Sequence, residues 1–471
     1  MRLASLLLAL VLCALGLLIA STNACGGKVI GNQILAGKFQ HIVIIFQENR
    51  TPDNLFQDPT LIKAGADIAS SGRDSFGRTI KLTPTTLNTN YDLSHAHSAF
   101  LAMYNKGQMD GANHVSCGGP GCKSRADLQF KYVEPSEVQP YFQMAEQYTF
   151  GDRMFQTNQG PSFPAHQFII SGSSAPSSSS SSFMAENPGG TTAFFDLSGC
   201  IAPPQEYVQL IAADGSENKT MYPCAEHRTL TDELNEKGID WRYYTPSAGV
   251  IWTAPTAIAH MCGPNAPLPN ATACVGSDWV NHVILYTPEN PAPILTDISK
   301  NRLPAISWVI PSRQNSDHAS FADASGGPSW VASIVNAIGN SEYWANTAII
   351  VTWDDWGGWY DHVPPFKVVN DGVSWGSGYV YGFRVPLIVI ASHARRGYIS
   401  HVNHDFGSIL RMVEENFGLP TLGYADSYAP DDLSDCFYFK QQPLVFQTID
   451  APLRADYFLH DTSTPGDPDD E

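Results

Sequence analysis

Three short runs of apolar, mostly β-branched residues, each ending abruptly in polar ones, constrain this chain more than any other feature. Residues 39–46 stop at Gln47-Glu48-Asn49-Arg50, residues 347–353 at Asp354-Asp355 with Gly357-Gly358 beyond, and residues 385–390 at Ala391-Ser392-His393. Runs of this length without polar alternation suit strands buried on both faces, which arise when helices cover both sides of a sheet. Polar groups at the carboxyl ends of such strands are where open α/β sheets place their sites. Helical patterns lie between the runs. Residues 406–417 carry Phe406, Ile409, Leu410, Val413 and Phe417 on one face, with Asp405 as N-cap and Gly418 and Pro420 as the stop. Residues 330–338 form a second candidate, and 306–310 read as a further strand. An α/β fold is predicted, and 471 residues with 43% hydrophobic content suffice for one large domain with insertions or two modest ones.

The ends and the middle of the chain read differently. Arg2, an apolar stretch over 3–20 and the small-residue exit Ser21-Thr22-Asn23-Ala24 predict a signal peptide over 1–24, the alternative being a retained membrane anchor. Cys25 hints at lipoprotein processing, although Thr22 stands where an aliphatic residue is usual. Residues 171–300, rich in proline and paired cysteines and holding the serine run 177–182, predict loops or a cap on the sheet with no core of its own. Residues 421–471 read as an extension ending in an acidic tail from Asp461.

A net charge of -19 repels phosphate backbones and acidic lipid surfaces, so nucleic acid is not an expected partner. In an exported protein, Cys117/Cys122, Cys200/Cys224 and Cys262/Cys274 are expected disulfides, leaving Cys436 over. No two cysteines have zinc-ligand CxxC spacing. Asn218-Lys219-Thr220, Asn270-Ala271-Thr272 and Asn49-Arg50-Thr51 are glycosylation sequons, read as coincidental because the last falls among the candidate site residues.

Glu48 and Asn49 at one strand end, with Asp354 and Asp355 at another, offer hard oxygen donors that suit Ca²⁺ or Mg²⁺ better than zinc. Gly160-Pro161-Ser162-Phe163-Pro164-Ala165-His166 holds one hydroxyl between prolines in stiff backbone, a candidate nucleophile if a base or metal activates it. Asn315-Ser316-Asp317-His318 adds a histidine after a strand candidate.

Gln47-Glu48-Asn49-Arg50-Thr51-Pro52-Asp53 resembles the ENRSFD element of the phosphoesterase family, which includes bacterial and plant phospholipases C and some acid phosphatases. Trp344-Ala345-Asn346-Thr347, leading to Asp354-Asp355-Trp356-Gly357-Gly358-Trp359-Tyr360-Asp361-His362-Val363-Pro364-Pro365, is similar to that family's second signature. The resemblance spans residues 39–420 in pieces. It implies an alkaline-phosphatase-like α/β/α sandwich, metal-binding roles for Glu48, Asn49, Asp354 and Asp355, and Ser162 as the nucleophile. It further implies active-site roles for His318, for His95 with His97 as the alternative, and for His260 in a segment that aligns poorly. Pro164-Ala165-His166 departs from the P-N-R of many phospholipase members, which bears on substrate recognition rather than on the nucleophile. Trp353, Trp356, Trp359 and Tyr360 are read as packing around the site in preference to a cage for a cationic headgroup.

These readings predict an exported, metal-dependent phosphoesterase acting through a phosphoseryl intermediate. With about fifty residues after residue 417, an acid phosphatase-like enzyme is expected before a phospholipase C cleaving lipid headgroups. A non-catalytic exported binding protein on the same fold is the reading from another class.

Overall fold

The computed structural model describes residues 34–124, 127–190, 197–320, 325–366 and 381–463. The predicted leader 1–24, Cys25 and the tail beyond residue 463 lie outside them. In chain order the elements that build the site are β1 (His41–Gln47), α1 (Pro52–Leu55), α2 (His97–Tyr104), α3 (Gln139–Gln147), β2 (Thr149–Phe155) and α4 (Ser162–Ser171). There follow β3 (Trp241–Thr245), β4 (Val283–Leu285), β5 (Ile306–Val309), α5 (Gly326–Gly339), β6 (Thr347–Trp353) and β7 (Arg384–Ala391). The last are β8 (Tyr398–Ser400), β9 (His404–Asp405) and α6 (Phe406–Phe417).

The strands form one sheet in the order β4-β3-β5-β1-β6-β7-β2-β8, with β9 also pairing to β2. All pairings are parallel except those of β7, which runs antiparallel to both β6 and β2. Side chains alternate across a strand, so the two faces can be assigned from contacts. In the β1/β6 register Phe46 lies opposite Thr352, and Gln47 opposite Trp353. The Phe46 ring meets Phe406 of α6 and His166 of α4 on one face, while Trp353 meets Tyr141 of α3 on the other, with α5 beside α3. Helices on both faces explain why every residue of β6 and β7 is buried. This is the predicted α/β sandwich around a mostly parallel sheet.

Two expectations need correction. Because β7 is reversed, Ser392 and His393 fall at the edge opposite the carboxyl ends of β1 and β6. The end of β7 on the site's side is its start, at Arg384. Residues 171–300 are also more than a cap: they supply β3 and β4, and Trp241, Tyr243 and Tyr244 of β3 belong to the main core. An aromatic strand of five residues carries no aliphatic run to announce it. The rest of this segment includes a three-stranded sheet of Phe183–Met184, Val208–Ile211 and Lys219–Met221, and a small cluster around Cys200, Cys262 and Cys274. The serine run 177–182 is half-buried to exposed. All three expected disulfides are present, and Cys436 is free and buried. The extension packs back onto the domain through Phe446 on Trp344 and Phe458 on Trp330 of α5.

Arg384 is fully buried and binds the Asp361 carboxylate through Nε and Nη2, with Asp53 at 3.3 Å and the carbonyls of Asp67 and Asp152 at 2.8 Å. His362 joins this network, Nδ1 to Asp53 at 2.7 Å and Nε2 to Asp67 at 2.9 Å. The network ties the turn after β6 to α1 and to the start of β7. Burial by itself lowers the His362 pKa, but the hydrogen bond to Asp53 and its charge carry it from 6.5 up to about 9. A histidine raised in this way stabilises the fold fully below its unfolded value, and that contribution is lost as pH rises through the folded one. The melting temperature is therefore expected to fall between about pH 7 and 10, with a smaller slope in His362→Gln. Equal slopes in the two proteins would uncouple His362 from folding.

Candidate active site

Ser162 follows the loop out of β2 and is the first residue of α4. The proline-flanked backbone is a helix start, where the missing proline N–H groups cost nothing because first-turn donors lack intrahelical partners anyway. The hydroxyl is buried, with Oγ 3.4 Å from Glu48 Oε2 and 3.3 Å from Asp355 Oδ2, toward which it donates.

Glu48 and Asn49 leave the end of β1, and Asp354 and Asp355 the end of the adjacent parallel β6, so neighbouring strands deliver all four to one place. Asn49 adopts φ 64°, a left-handed conformation that asparagine tolerates. Its backbone N–H donates to Asp354 Oδ1 at 3.0 Å, and the N–H of Asp355 donates to the same oxygen at 2.7 Å. The chain then turns sharply. A Cβ on Gly357 would sit 2.4 Å from the Asn49 carbonyl oxygen, so only glycine allows this approach.

Burial, followed by the charge of Asp354, pushes the carboxyl pKa values of both Glu48 and Asp355 well above the usual range. Among the described residues, the basic side chains within 4.0 Å of the Glu48, Asp354 and Asp355 carboxylates are histidines, His166 and His95, with no lysine or arginine beside them. Asp354 Oδ2 and Asn49 Oδ1 are buried without a hydrogen-bond partner among the described residues. Buried, uncompensated carboxylates are costly unless a cation joins them. The donors present therefore fit a divalent ion held by Glu48, Asn49, Asp354 and Asp355.

The predicted histidines divide. His95 Nε2 lies 3.9 Å from Asp355 Oδ2 and 3.4 Å from Asn49 Nδ2, which puts it beside the cluster. The alternative, His97, turns to Glu217 at 2.5 Å, and its backbone N–H meets Glu186. His318 is buried with its ring 6.2 Å from that of His95, and its Nε2 is 3.7 Å from Asp92 Oδ2. The His318 loop is fixed from β1: Gln47 Oε1 accepts from the Asp317 N–H at 2.9 Å, and Arg50 Nε donates to the Asp317 carbonyl at 2.8 Å. His260 is not brought there. It pairs with Glu226 at 2.8 Å and Asp232 at 3.3 Å in the inserted segment, and no contact among the described residues links it to Ser162. Trp252 of the same segment does reach His318, with ring centres 6.2 Å apart.

Sequence reasoning passed over His166, whose Nε2 lies 3.2 Å from Glu48 Oε1 and 3.8 Å from Asp354 Oδ2. Its signal was available: four residues after Ser162 is one helical turn, hence the same face. Burial depresses its pKa to about 4, so it meets the carboxylates as a neutral imidazole. Asp92 and Asp317 were missed because only the fold brings them to His318 and Arg50. Trp353, Trp356 and Trp359 are fully buried and Tyr360 nearly so, as packing requires. Trp353 Nε1 donates to Asp317, Trp356 meets His95, and Arg50 lies over Trp359.

The site is thus a buried serine hydroxyl beside the Glu48 and Asp355 carboxylates, with Asn49 and Asp354 next to them, at the carboxyl edge of an α/β sandwich. Residues 39–420 match the profile of the Phosphoesterase family, and the chain belongs to that family. It is 25% identical over 427 residues to the hemolytic phospholipase C of Pseudomonas aeruginosa, covering 81% of this chain and 53% of that protein. It is 28% identical over 237 residues to phospholipase C A of Mycobacterium tuberculosis, covering 46% and 44%. The chain thus spans about half the length of the curated relatives it matches. A Vibrio parahaemolyticus protein of the alkaline phosphatase superfamily is similar at a TM-score of 0.35 and 11% identity, covering 84% of this chain and 71% of that one. At that level the likeness adds nothing to what the sheet itself displays. No helix among the described residues is long and apolar enough to cross a membrane.

Proposed function

We propose that this chain is an exported, metal-dependent hydrolase of phosphoric esters, acid phosphatase-like, with Ser162 as nucleophile. The observation that carries the reading is the Ser162 hydroxyl at 3.3 to 3.4 Å from two buried carboxylates at the meeting point of β1, β6 and α4. The four oxygen donors by themselves suit Ca²⁺ or Mg²⁺. Such an ion, when bound, supplies charge neutralisation for phosphoryl oxygens and makes the serine easier to deprotonate.

The remaining work falls to the chain. Ser162 passes its proton to Asp355 or Glu48, and its oxygen attacks phosphorus as the ester P–O bond breaks. His318 donates a proton to the departing alkoxide, leaving a phosphoseryl ester that water then hydrolyses to phosphate and free serine. The three disulfides and the predicted leader support export.

The names of the relatives favour a second reading, hydrolysis of the phosphodiester of a phospholipid to release its headgroup. Assays on nitrophenyl phosphate, bis-nitrophenyl phosphate and phosphatidylcholine separate the two, and no release from any of them would leave the non-catalytic binding protein. If His318 is the general acid, His318→Ala should lose roughly 10²–10⁴-fold on an alkyl phosphate and far less on nitrophenyl phosphate, whose leaving group needs little protonation. Equal losses on both would reassign His318 to phosphate binding or structure.

A further inference from the structure

Glu48, His166 and Asp354 are fully buried, and Glu48 and Asp354 carboxylate oxygens and a His166 ring nitrogen all lie within 4.8 Å of one another. His166 Nε2 is within hydrogen-bond distance of Glu48 Oε1 at 3.2 Å, but its 3.8 Å to Asp354 Oδ2 is too long for one. Ligand bonds of roughly 2.0 to 2.2 Å put neighbouring donors of one ion about 3 to 4 Å apart, so both distances suit a shared cation. Asp354 Oδ2 has no hydrogen-bond partner among the described residues.

Helix geometry makes the placement systematic. Ser162 and His166 are one turn apart on α4, so the helix that presents the hydroxyl also presents the imidazole. The Phe46 ring, 6.3 Å away, closes the apolar side of His166. We infer that His166 is a nitrogen ligand of the cation held by Glu48 and Asp354, and that it biases the centre away from Ca²⁺ toward Mn²⁺ or another first-row ion that accepts imidazole. The inference rests on the metal-centre reading above and adds to it the class of ion.

The test loads the full chain with Mn²⁺ and reads pulsed electron paramagnetic resonance for nitrogen coupling, in protein labelled with ¹⁵N-histidine and unlabelled. The expected result is a histidine nitrogen signal that disappears in His166→Gln and persists in His95→Gln, the other imidazole beside the carboxylates. Equilibrium titration should give Mn²⁺ binding weaker by roughly 100-fold in His166→Gln, at or above what loss of an outer-sphere partner gives, with Ca²⁺ binding much less affected. Bound Mn²⁺ without nitrogen coupling in the wild-type protein overturns the role of His166 and leaves an all-oxygen centre standing. Coupling lost in His95→Gln instead also overturns it. No Mn²⁺ bound at all, and no divalent ion by elemental analysis, overturns the metal-centre reading itself. The labelled wild-type measurement decides the matter even if His166→Gln fails to fold.

Discussion

Ser162→Ala is expected to abolish phosphate ester hydrolysis, with a loss on the order of 10⁴-fold or more, because the whole covalent step depends on that oxygen. The residue is 1% exposed and its hydroxyl makes only long contacts, at 3.3 and 3.4 Å, so the fold should change by no more than about 1 kcal/mol. Divalent-ion content should also survive, since four other donors remain. Acid-quenched wild-type protein, digested and weighed during turnover, should carry a phosphoryl group on the peptide containing Ser162. A variant that keeps more than a few per cent of the wild-type rate, or a quench with no phosphopeptide and a fast second step excluded, would remove Ser162 from the mechanism.

Asp354→Asn should be nearly as severe. Asp354 Oδ1 accepts from the N–H groups of Asn49 and Asp355, and an asparagine can keep both bonds through its carbonyl oxygen. Its amide nitrogen would then stand where Oδ2 now faces His166 and the cation site. The variant is expected to fold, to lose its divalent ion on dialysis, and to lose activity by roughly 10³-fold, as removal of several kcal/mol of charge stabilisation implies. Glu48→Gln should behave alike. Elemental analysis before and after chelation checks this, and full activity in protein stripped of every divalent ion would mean that the carboxylate cluster has been misread.

The two substitutions depend on parts of the chain that differ in how readable they were. Glu48 and Asp354 follow short β-branched runs bounded by polar and glycine residues, the pattern of a strand buried on both faces. The helix 406–417 was equally legible, since its apolar spacing, its Asp405 cap and its Gly418 stop are all local chemistry. By contrast β3, with Trp241, a half-buried Arg242, Tyr243 and Tyr244, has neither an aliphatic run nor clean alternation, and nothing local sets it apart from the cap expected over 171–300. His260 was carried by a poorly aligned resemblance, and the structure ties it to Glu226 and Asp232.

The amino-acid sequence by itself pointed to the α/β class, to three close cysteine pairs that the structure joins, and to polar residues at the ends of two buried runs, because strand burial and cysteine spacing are written in neighbouring residues, whereas the roles expected of Ser162, Glu48, Asn49, Asp354 and Asp355 came from the resemblance to a family. The direction of β7 was decided only by tertiary structure. A strand's own residues do not say whether its partner runs parallel or antiparallel, and the reversal put Arg384, not His393, at the site's edge. The same holds for Asp92 beside His318, separated by more than two hundred residues, and for His166 against Glu48 and Asp354. Such contacts are set by how β1, β6 and α4 pack, and packing is a property of surfaces that come together only when the whole chain folds.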